Sequence, residues 1–396
     1  MKKYETANIR NVALVGSKGV GKTTFVEAAL FSSKATGRQG SVDEGNSIID
    51  YDPIEVDRKQ SITSKVTPVE FAGKKINLID TPGYSDFVGE AVGAMAVADV
   101  VCCLVDSVNG ADVSTARLDG YAQKFGKARV YFVNKADAER ADVDAALASI
   151  KDKLASGAAL FQMPIGKGQG FKGVVDLLNM RAYVSEGGHS KETDVPADMA
   201  EAAKEKRTAL MEAVAESDEV LLNKYLESGE LSEEELKRGM VKGIAAGTLN
   251  PVFVGSGVMN AGVEAFLAAV AGNFPSPADM PPVKAKKADG SEVSLTANPA
   301  GPLLAQVFKT TSDPGIGDVS FFRVWSGTIK AGDDVFNGTQ SAFERMGHLI
   351  VMRGKERMES EEAPAGDIAA VAKLKSTTIE DVFTMKNDAL DRKSVV

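Results

Sequence analysis

Between Arg10 and Phe274 short runs rich in Val, Ile and Leu alternate with stretches of helical periodicity, the pattern of a parallel sheet with crossover helices. Residues 11–15, 76–79, 100–105, 130–133 and 251–254 read as strands, and helices are expected to start at Lys22, near Phe87, at Ser114, near Asp142 and near Gly262. The stretch 156–250 interrupts this alternation: it begins Gly-rich and becomes strongly helical over 199–243. Residues 274–302, with Pro275, Pro277, Pro281 and Pro282, read as a linker. Its cluster Lys284, Lys286 and Lys287 either faces solvent or touches phosphate. After it the register changes to short alternating runs at 319–324, 343–351 and 368–374, broken by Gly, Asp and Asn, which predict a small antiparallel β-barrel.

Composition narrows the class. With 396 residues, 44% apolar and 26% charged, the chain has material for two or three globular domains. A net charge of -9 leaves no diffuse positive field to draw the surface to nucleic acid, so an RNA partner must be met by local patches and no sequence-specific nucleic-acid binding is expected. The adjacent Cys102 and Cys103 lie in an apolar run and read as buried thiols of a reducing compartment. The start, MKKYETANIR, lacks an apolar core behind its lysines, and the longest apolar stretch, 91–105, is too short for a bilayer and carries Asp99. A cytoplasmic protein with no membrane partner is expected.

The chemistry sits at the ends of the predicted strands. Gly16-Ser17-Lys18-Gly19-Val20-Gly21-Lys22-Thr23, followed by Thr24, comes directly after a strand and opens a helix, the context a phosphate-binding loop requires. Its glycines let backbone N–H groups turn toward phosphates, Lys22 reaches the β and γ phosphates, and the Thr23 hydroxyl is offered to Mg²⁺. Asn134-Lys135-Ala136-Asp137 ends a later strand at the carboxyl edge of the sheet, where ligands of open α/β folds bind. The Asp137 carboxylate accepts from both the ring N–H and the exocyclic amine of guanine. Asn134 would brace the loops, and the Lys135 stem would lie along the base. Gly255-Ser256-Gly257 would present backbone N–H to the guanine oxygen, or be ordinary turn material. Asp80-Thr81-Pro82-Gly83 follows another strand, placing Asp80 to hold Mg²⁺ and the Gly83 N–H to bond a γ-phosphate oxygen. In the polar stretch 36–59, expected to be mobile, and just beyond it, Thr63 either closes on Mg²⁺ and γ-phosphate or simply begins a strand. Two segments gripping the γ-phosphate make a switch.

These motifs, in this order, resemble those of the translational GTPases, most closely elongation factor G and the elongation factor G-like proteins. The resemblance extends through residues 80–90, 250–256 and 274–277 to Val324-Trp325-Ser326-Gly327-Thr328-Ile329-Lys330-Ala331-Gly332-Asp333 and Ala365-Gly366-Asp367-Ile368-Ala369-Ala370-Val371, which look like the second domain of that family. It implies an α/β P-loop GTPase domain (1–155 and 251–277) with an inserted α/β G′ subdomain (156–250), a linker (278–300) and a small antiparallel β-barrel domain II (301–396). The implied ligands are GTP or GDP with Mg²⁺, and the implied partner is the ribosome. Its small subunit would be met through domain II. The stalk protein would be met through the helices of 199–243, which on composition alone are equally a solvated pair packed on the core.

The chain departs from the family at instructive places. The family's His after Asp-Thr-Pro-Gly, which orients the attacking water, is Tyr84 here, and neither His189 nor His348 is motif-placed to replace it. A phenol can hydrogen-bond water but supplies no imidazolium charge, so weakened or differently activated hydrolysis is expected. Ser17 and Gly19 replace the family's His and Asp in the loop, and Gln60-Ser61 replaces Arg-Gly before Ile-Thr. Together they favour the elongation factor G-like branch. The chain stops about where domain II of the family ends, so a piece of a longer protein, unable to translocate tRNA alone, is expected. The leading reading is a Mg²⁺-dependent GTPase using Lys22, Thr63, Gly83 and Tyr84, slow without a ribosome-type activator. The alternatives are a GTP-controlled binding switch with weak hydrolysis and a ribosome-protection factor.

Overall fold

A computed structural model describes residues 2–287, 289–313, 315–386 and 390–391. The first half is built from β1 (Ile9–Val15), α1 (Lys22–Ser32), α2 (Pro53–Arg58), β2 (Lys65–Phe71), β3 (Lys74–Asp80), α3 (Val88–Val97), β4 (Val100–Asp106), α4 (Val113–Lys124), β5 (Ala128–Asn134), α5 (Val143–Lys153) and β6 (Ala158–Leu160). There follow β7 (Gln162–Ile165), β8 (Gly173–Asp176), β9 (Arg181–Glu186), β10 (His189–Asp194), α6 (Ala200–Ala215), α7 (Glu219–Ser228), α8 (Glu233–Ala246), β11 (Asn250–Val254) and α9 (Val263–Asn273). The main sheet has the order β2-β3-β1-β4-β5-β11-β6, parallel throughout except for β2. Its inner strands are buried on both faces because helices cover both. Val12, Leu14, Cys102, Leu104 and Phe132 face one core; Ala13, Val15, Cys103, Val105 and Val133 face the other. The two cysteines therefore point in opposite directions and are free thiols, each pushed upward in pKa chiefly by burial.

The five predicted strands and five predicted helices of this half are present. The pattern missed β2, an antiparallel edge strand interrupted by Pro68, which an edge tolerates. In the stretch 156–250, β7 to β10 form a separate antiparallel sheet, and α6 to α8 follow it. Helix α8 starts at a Ser232–Glu235 capping box.

The stretch expected as a linker is not bare coil: β12 (Val283–Lys287) pairs with β13 (Glu292–Leu295) and with β24 (Leu390–Asp391), burying Ala285 and Leu295. Beyond it come β14 (Leu304–Asp313), β15 (Gly317–Ser326), β16 (Thr328–Lys330), β17 (Asp334–Asn337), β18 (Ala342–Arg345), β19 (Leu349–Arg353), β20 (Glu356–Ser360), β21 (Glu362–Pro364), β22 (Ile368–Ala372) and β23 (Val382–Thr384). Eight of these form one sheet in the order β18-β17-β23-β14-β15-β22-β19-β20, and β16 pairs with β21. This β-domain is docked on β1, β3 and α3 by buried charge. Lys75 Nζ donates to both oxygens of Asp367 at 2.7 and 2.8 Å, and Arg323 Nη2 donates to Asp99 at 2.6 Å while Nη1 reaches the Val97 carbonyl. Asn11 and Asn77 brace the same seam, Asn11 Nδ2 donating to Asp99 and to the Gly366 carbonyl, each at 2.7 Å.

Candidate nucleotide site

The loop between β1 and α1 turns inward because two glycines permit it. Gly16 and Gly21 hold φ values of +147° and +93°, where L side chains are strained. A Cβ at either would fall 2.6 Å from an atom already present, the Leu104 carbonyl oxygen or Asn134 Nδ2. Phe25, on the first turns of α1, meets Phe132 and Phe266 edge-to-face at 4.8 and 5.3 Å, which sets the helix behind the loop. Lys22 is folded back into the loop, its Nζ donating to the carbonyls of Gly16 (2.8 Å) and Ser17 (3.0 Å). Burial lowers its pKa to about 8, with Asp80 opposing that fall.

A cavity of about 440 Å³ opens in front of this loop, lined on one side by Lys18, Gly19, Gly21, Lys22, Thr23 and Thr24. Thr81, Gly83 and Tyr84 close one end, and Asn134, Lys135, Ser256 and Gly257 the other. Gly83 packs so close that a Cβ would meet Lys22 Nζ at 2.6 Å. Thr81 Oγ1 donates to the Leu14 carbonyl at 2.7 Å, tying the turn through Pro82 to β1. Gly16, Ser17, Val20 and Pro82 shape the loops from behind the lining.

Thr23, Asp80, Ser61 and Asp50 form a row. Thr23 Oγ1 lies 2.7 Å from Asp80 Oδ2 and 2.9 Å from Ser61 Oγ, which lies 2.8 Å from Asp50 Oδ2. Three contacts need three protons, and two hydroxyls supply only two. Burial, with the neighbouring Asp50 charge, raises the Asp80 pKa to about 7. Its other oxygen, Oδ1, is buried with no hydrogen-bond partner, a costly arrangement unless something binds it. A hydroxyl and a carboxylate oxygen suit a hard divalent cation. Among the described residues no cluster of three or more His, Cys, Asp or Glu gathers to hold a metal, so an ion here would share its shell with phosphate and water.

At the other end β5 delivers Asn134, whose Nδ2 donates to the Val20 carbonyl at 2.7 Å and whose Oδ1 accepts from Gly257 N at 3.0 Å. Asn134 thus braces three loops at once. Lys135, in a left-handed conformation at φ +62°, reaches Asp106 at 2.9 Å. Asp137 is half-buried, and its carboxylate has no partner among the described residues.

Three expectations meet a different arrangement. Thr63 does not line this cavity: the Glu55 carboxylate captures the N–H groups of Ile62 (2.8 Å) and Thr63 (3.2 Å), and Thr63 lines a separate cleft against the β-domain. Ser61 stands beside Thr23 instead. The N–H groups of Gly255, Ser256 and Gly257 are spent on Val133, Ala261 and Asn134, so none is unpaired toward the base. Residues of 36–59 are tethered, since buried Glu27 accepts from Ser47 Oγ, Ile48 N and Ile49 N at 2.6 to 3.1 Å. Asp50 and Ser61 were not singled out as site residues; only the match of a polar pair to the Thr23 hydroxyl, visible in space, finds them. His189 packs on Phe31 at 4.9 Å and His348 is exposed near Glu359, both outside the cavity lining.

Among the described residues no helix is long and apolar enough to cross a membrane. The family model "Elongation factor Tu GTP binding domain" matches residues 7–276, and "Elongation factor G domain 2" matches residues 302–386. A crystal structure of a protein from Thermus thermophilus is similar at 34% identity and a TM-score of 0.85, over 96% of this chain and 54% of that one. This chain therefore spans about half the length of that relative. A loop, cavity and β-domain of this kind, matched in tandem over most of the sequence, mean that the chain belongs to the translational GTPases of the elongation factor G type.

Proposed function

We propose that this chain is the Mg²⁺-dependent, GTP-hydrolysing module of an elongation factor G-like, cytoplasmic factor that acts on the ribosome. The observation that carries the reading is the two-ended cavity, with Lys22 and Thr23 lining the phosphate end, Asp80 bonded behind Thr23, and Asn134, Lys135 and Gly257 lining the other end. Asp137, half-buried and unpaired among the described residues, follows Lys135 by two residues and is not among the lining residues. Thr23 and Asp80 would hold Mg²⁺, which when bound neutralises phosphate charge. Lys22 draws its ammonium off two carbonyls onto phosphate, and Gly83, with no side chain, leaves its N–H open to the γ-phosphate. Thr63 would join them only by leaving Glu55, which makes its arrival a switching event. The β-domain would meet the small subunit and α6 to α8 the stalk protein. Without a family His, hydrolysis in the absence of ribosomes is expected to be slow.

A second reading, a GTP-controlled binding switch, is favoured by one contact. Ser64, next to Thr63, donates to Glu90 of α3 at 2.7 Å, and Glu90 accepts from Lys309 of β14 at 3.2 Å, so a moving Thr63 pulls on the β-domain. One experiment separates these readings: single-turnover GTP hydrolysis with and without ribosomes at matched Mg²⁺. Strong stimulation supports the enzyme; tight GTP binding without stimulation supports the switch. Base choice is tested by Asp137→Asn, expected to shift preference from GTP toward xanthosine triphosphate by about 1–3 kcal/mol, since one lost paired acceptor is worth that much. Unchanged GTP affinity in that variant refutes the assignment of Asp137.

A further inference from the structure

The phosphate end holds a second cation that the reading above leaves idle. Lys18 presses its main chain against Gly83, where an added Cβ would fall 2.8 Å from both Lys18 N and Lys18 Cα. Its ammonium lies 4.3 Å from the centroid of the Tyr84 ring, within the roughly 6 Å over which a ring face attracts a cation. Both residues line the cavity. Lys18 is exposed and, among the described residues, forms no ion pair with a carboxylate. Lys22 differs, being buried and anchored on two carbonyls.

We propose that Lys18 is a catalytic cation for the γ-phosphoryl group and that Tyr84 is its positioning residue, acting through its ring face and not its hydroxyl. This rests on the GTPase reading. In hydrolysis the oxygen of water bonds to Pγ, and the bridging O–Pγ bond breaks with its electron pair leaving on GDP. The protons of the water end on inorganic phosphate and solvent. Negative charge is redistributed toward the bridging oxygen as that bond loosens, and an ammonium already in place stabilises it without reorganisation. The choice of an aromatic ring as holder has a physical reason. A carboxylate would fix Lys18 but cancel its charge, whereas a ring face orients the cation and leaves the full charge for phosphate. The position that in the family carries His would thus supply its cation one loop away.

The test is single-turnover GTP hydrolysis without ribosomes, alongside affinities for GDP and for GDP with aluminium fluoride. Lys18→Met is expected to slow hydrolysis about 100- to 1,000-fold and to weaken the aluminium fluoride complex by a similar factor, the scale of removing one preorganised donor. Its GDP affinity should stay within about threefold, which also shows that it is folded. Lys18→Arg should restore most of the rate. Tyr84→Phe, which keeps the ring face, should retain most of the rate, and Tyr84→Leu should fall as far as Lys18→Met, with no further loss in the double variant because the two residues act as a unit. Wild-type rates in Lys18→Met, or a Tyr84→Phe as slow as Tyr84→Leu, would overturn the inference. A wild type that binds GDP but hydrolyses no GTP would overturn the GTPase reading and this inference with it.

Discussion

Two of the places where this molecule buries charge are finished differently. At the seam between the main sheet and the β-domain, Asp367 accepts from Lys75, Asn77 and its neighbour's N–H, and Asp99 accepts from Arg323 and Asn11. Each carboxylate oxygen there has a partner. In the phosphate cavity Asp80 has one oxygen on Thr23 and the other on nothing, and Lys22 rests on carbonyls in place of a carboxylate. The carboxylates of the seam are fully answered within the chain, although Arg323 Nε and Asn77 Oδ1 are buried there without a hydrogen-bond partner, and their pairing holds two domains together. The cavity is left short of partners, and that deficit is what a phosphate and a cation would make good.

The sharpest way to break the comparison is to unpair the seam. Asp99→Ala strands the Arg323 guanidinium between domains and is expected to cost about 3–5 kcal/mol in chemical denaturation. The double variant Asp99→Leu with Arg323→Met should recover most of that, because burying neither charge is cheaper than burying one. A loss below about 1 kcal/mol in the single variant would mean the seam is solvated.

The cavity should respond with the opposite sign. Asp80→Asn, measured without nucleotide, is expected to be the more stable protein at pH 7 by on the order of 1–3 kcal/mol, because it removes an unpaired buried carboxylate. The direction with pH follows from its raised pKa. The folded chain holds the Asp80 proton up to about pH 7, against 3.8 for an ordinary Asp, so the stability that the proton brings is present at low pH and lost as pH rises toward 7. Melting curves of the two proteins should therefore converge near pH 4 and separate near pH 7. A variant that melts below the wild type at pH 7 would contradict this account, and nucleotide binding should lose its Mg²⁺ dependence in the same variant.

The smallest effect lies between the two regions, at Glu90. Burial pulls its carboxyl upward, but the Lys309 ammonium and the Ser64 N–H outweigh burial and hold its pKa below the usual value of 4.5. Its contribution is present above that value and lost as pH falls through the folded pKa. Lys309→Met should move the Glu90 titration upward in an NMR carboxyl experiment while changing stability by less than about 1 kcal/mol, as part-exposed pairs do. A Glu90 titration that stays put would uncouple the two domains at this point.

What was legible in the sequence follows from period and context. Apolar runs buried on both faces marked β1, β3, β4, β5 and β11, and a Gly-rich turn between strand and helix marked the phosphate loop, since both signals are local. Asn134 was legible for the same reason. Strand β2 was not, because Pro68 and a half-polar edge blur the alternation. Nor was the hairpin of β12 and β13, whose lysine-rich strands bury little beyond Ala285 and Leu295. Thr63 was drawn toward the cavity by its motif, whereas Glu55, eight positions away, holds it elsewhere through two backbone bonds.

By itself, then, the amino-acid order determined the elements, the glycine turn between β1 and α1 and the residue types at each strand end, because these depend on neighbours within a few positions. Only the tertiary structure decided that Asp99 meets a guanidinium 224 positions away, that Ser61 and Asp50 complete the row at Thr23, and that Lys18 rests on Tyr84. Those pairings depend on how layers close on one another, and no local period records a contact made across a sheet.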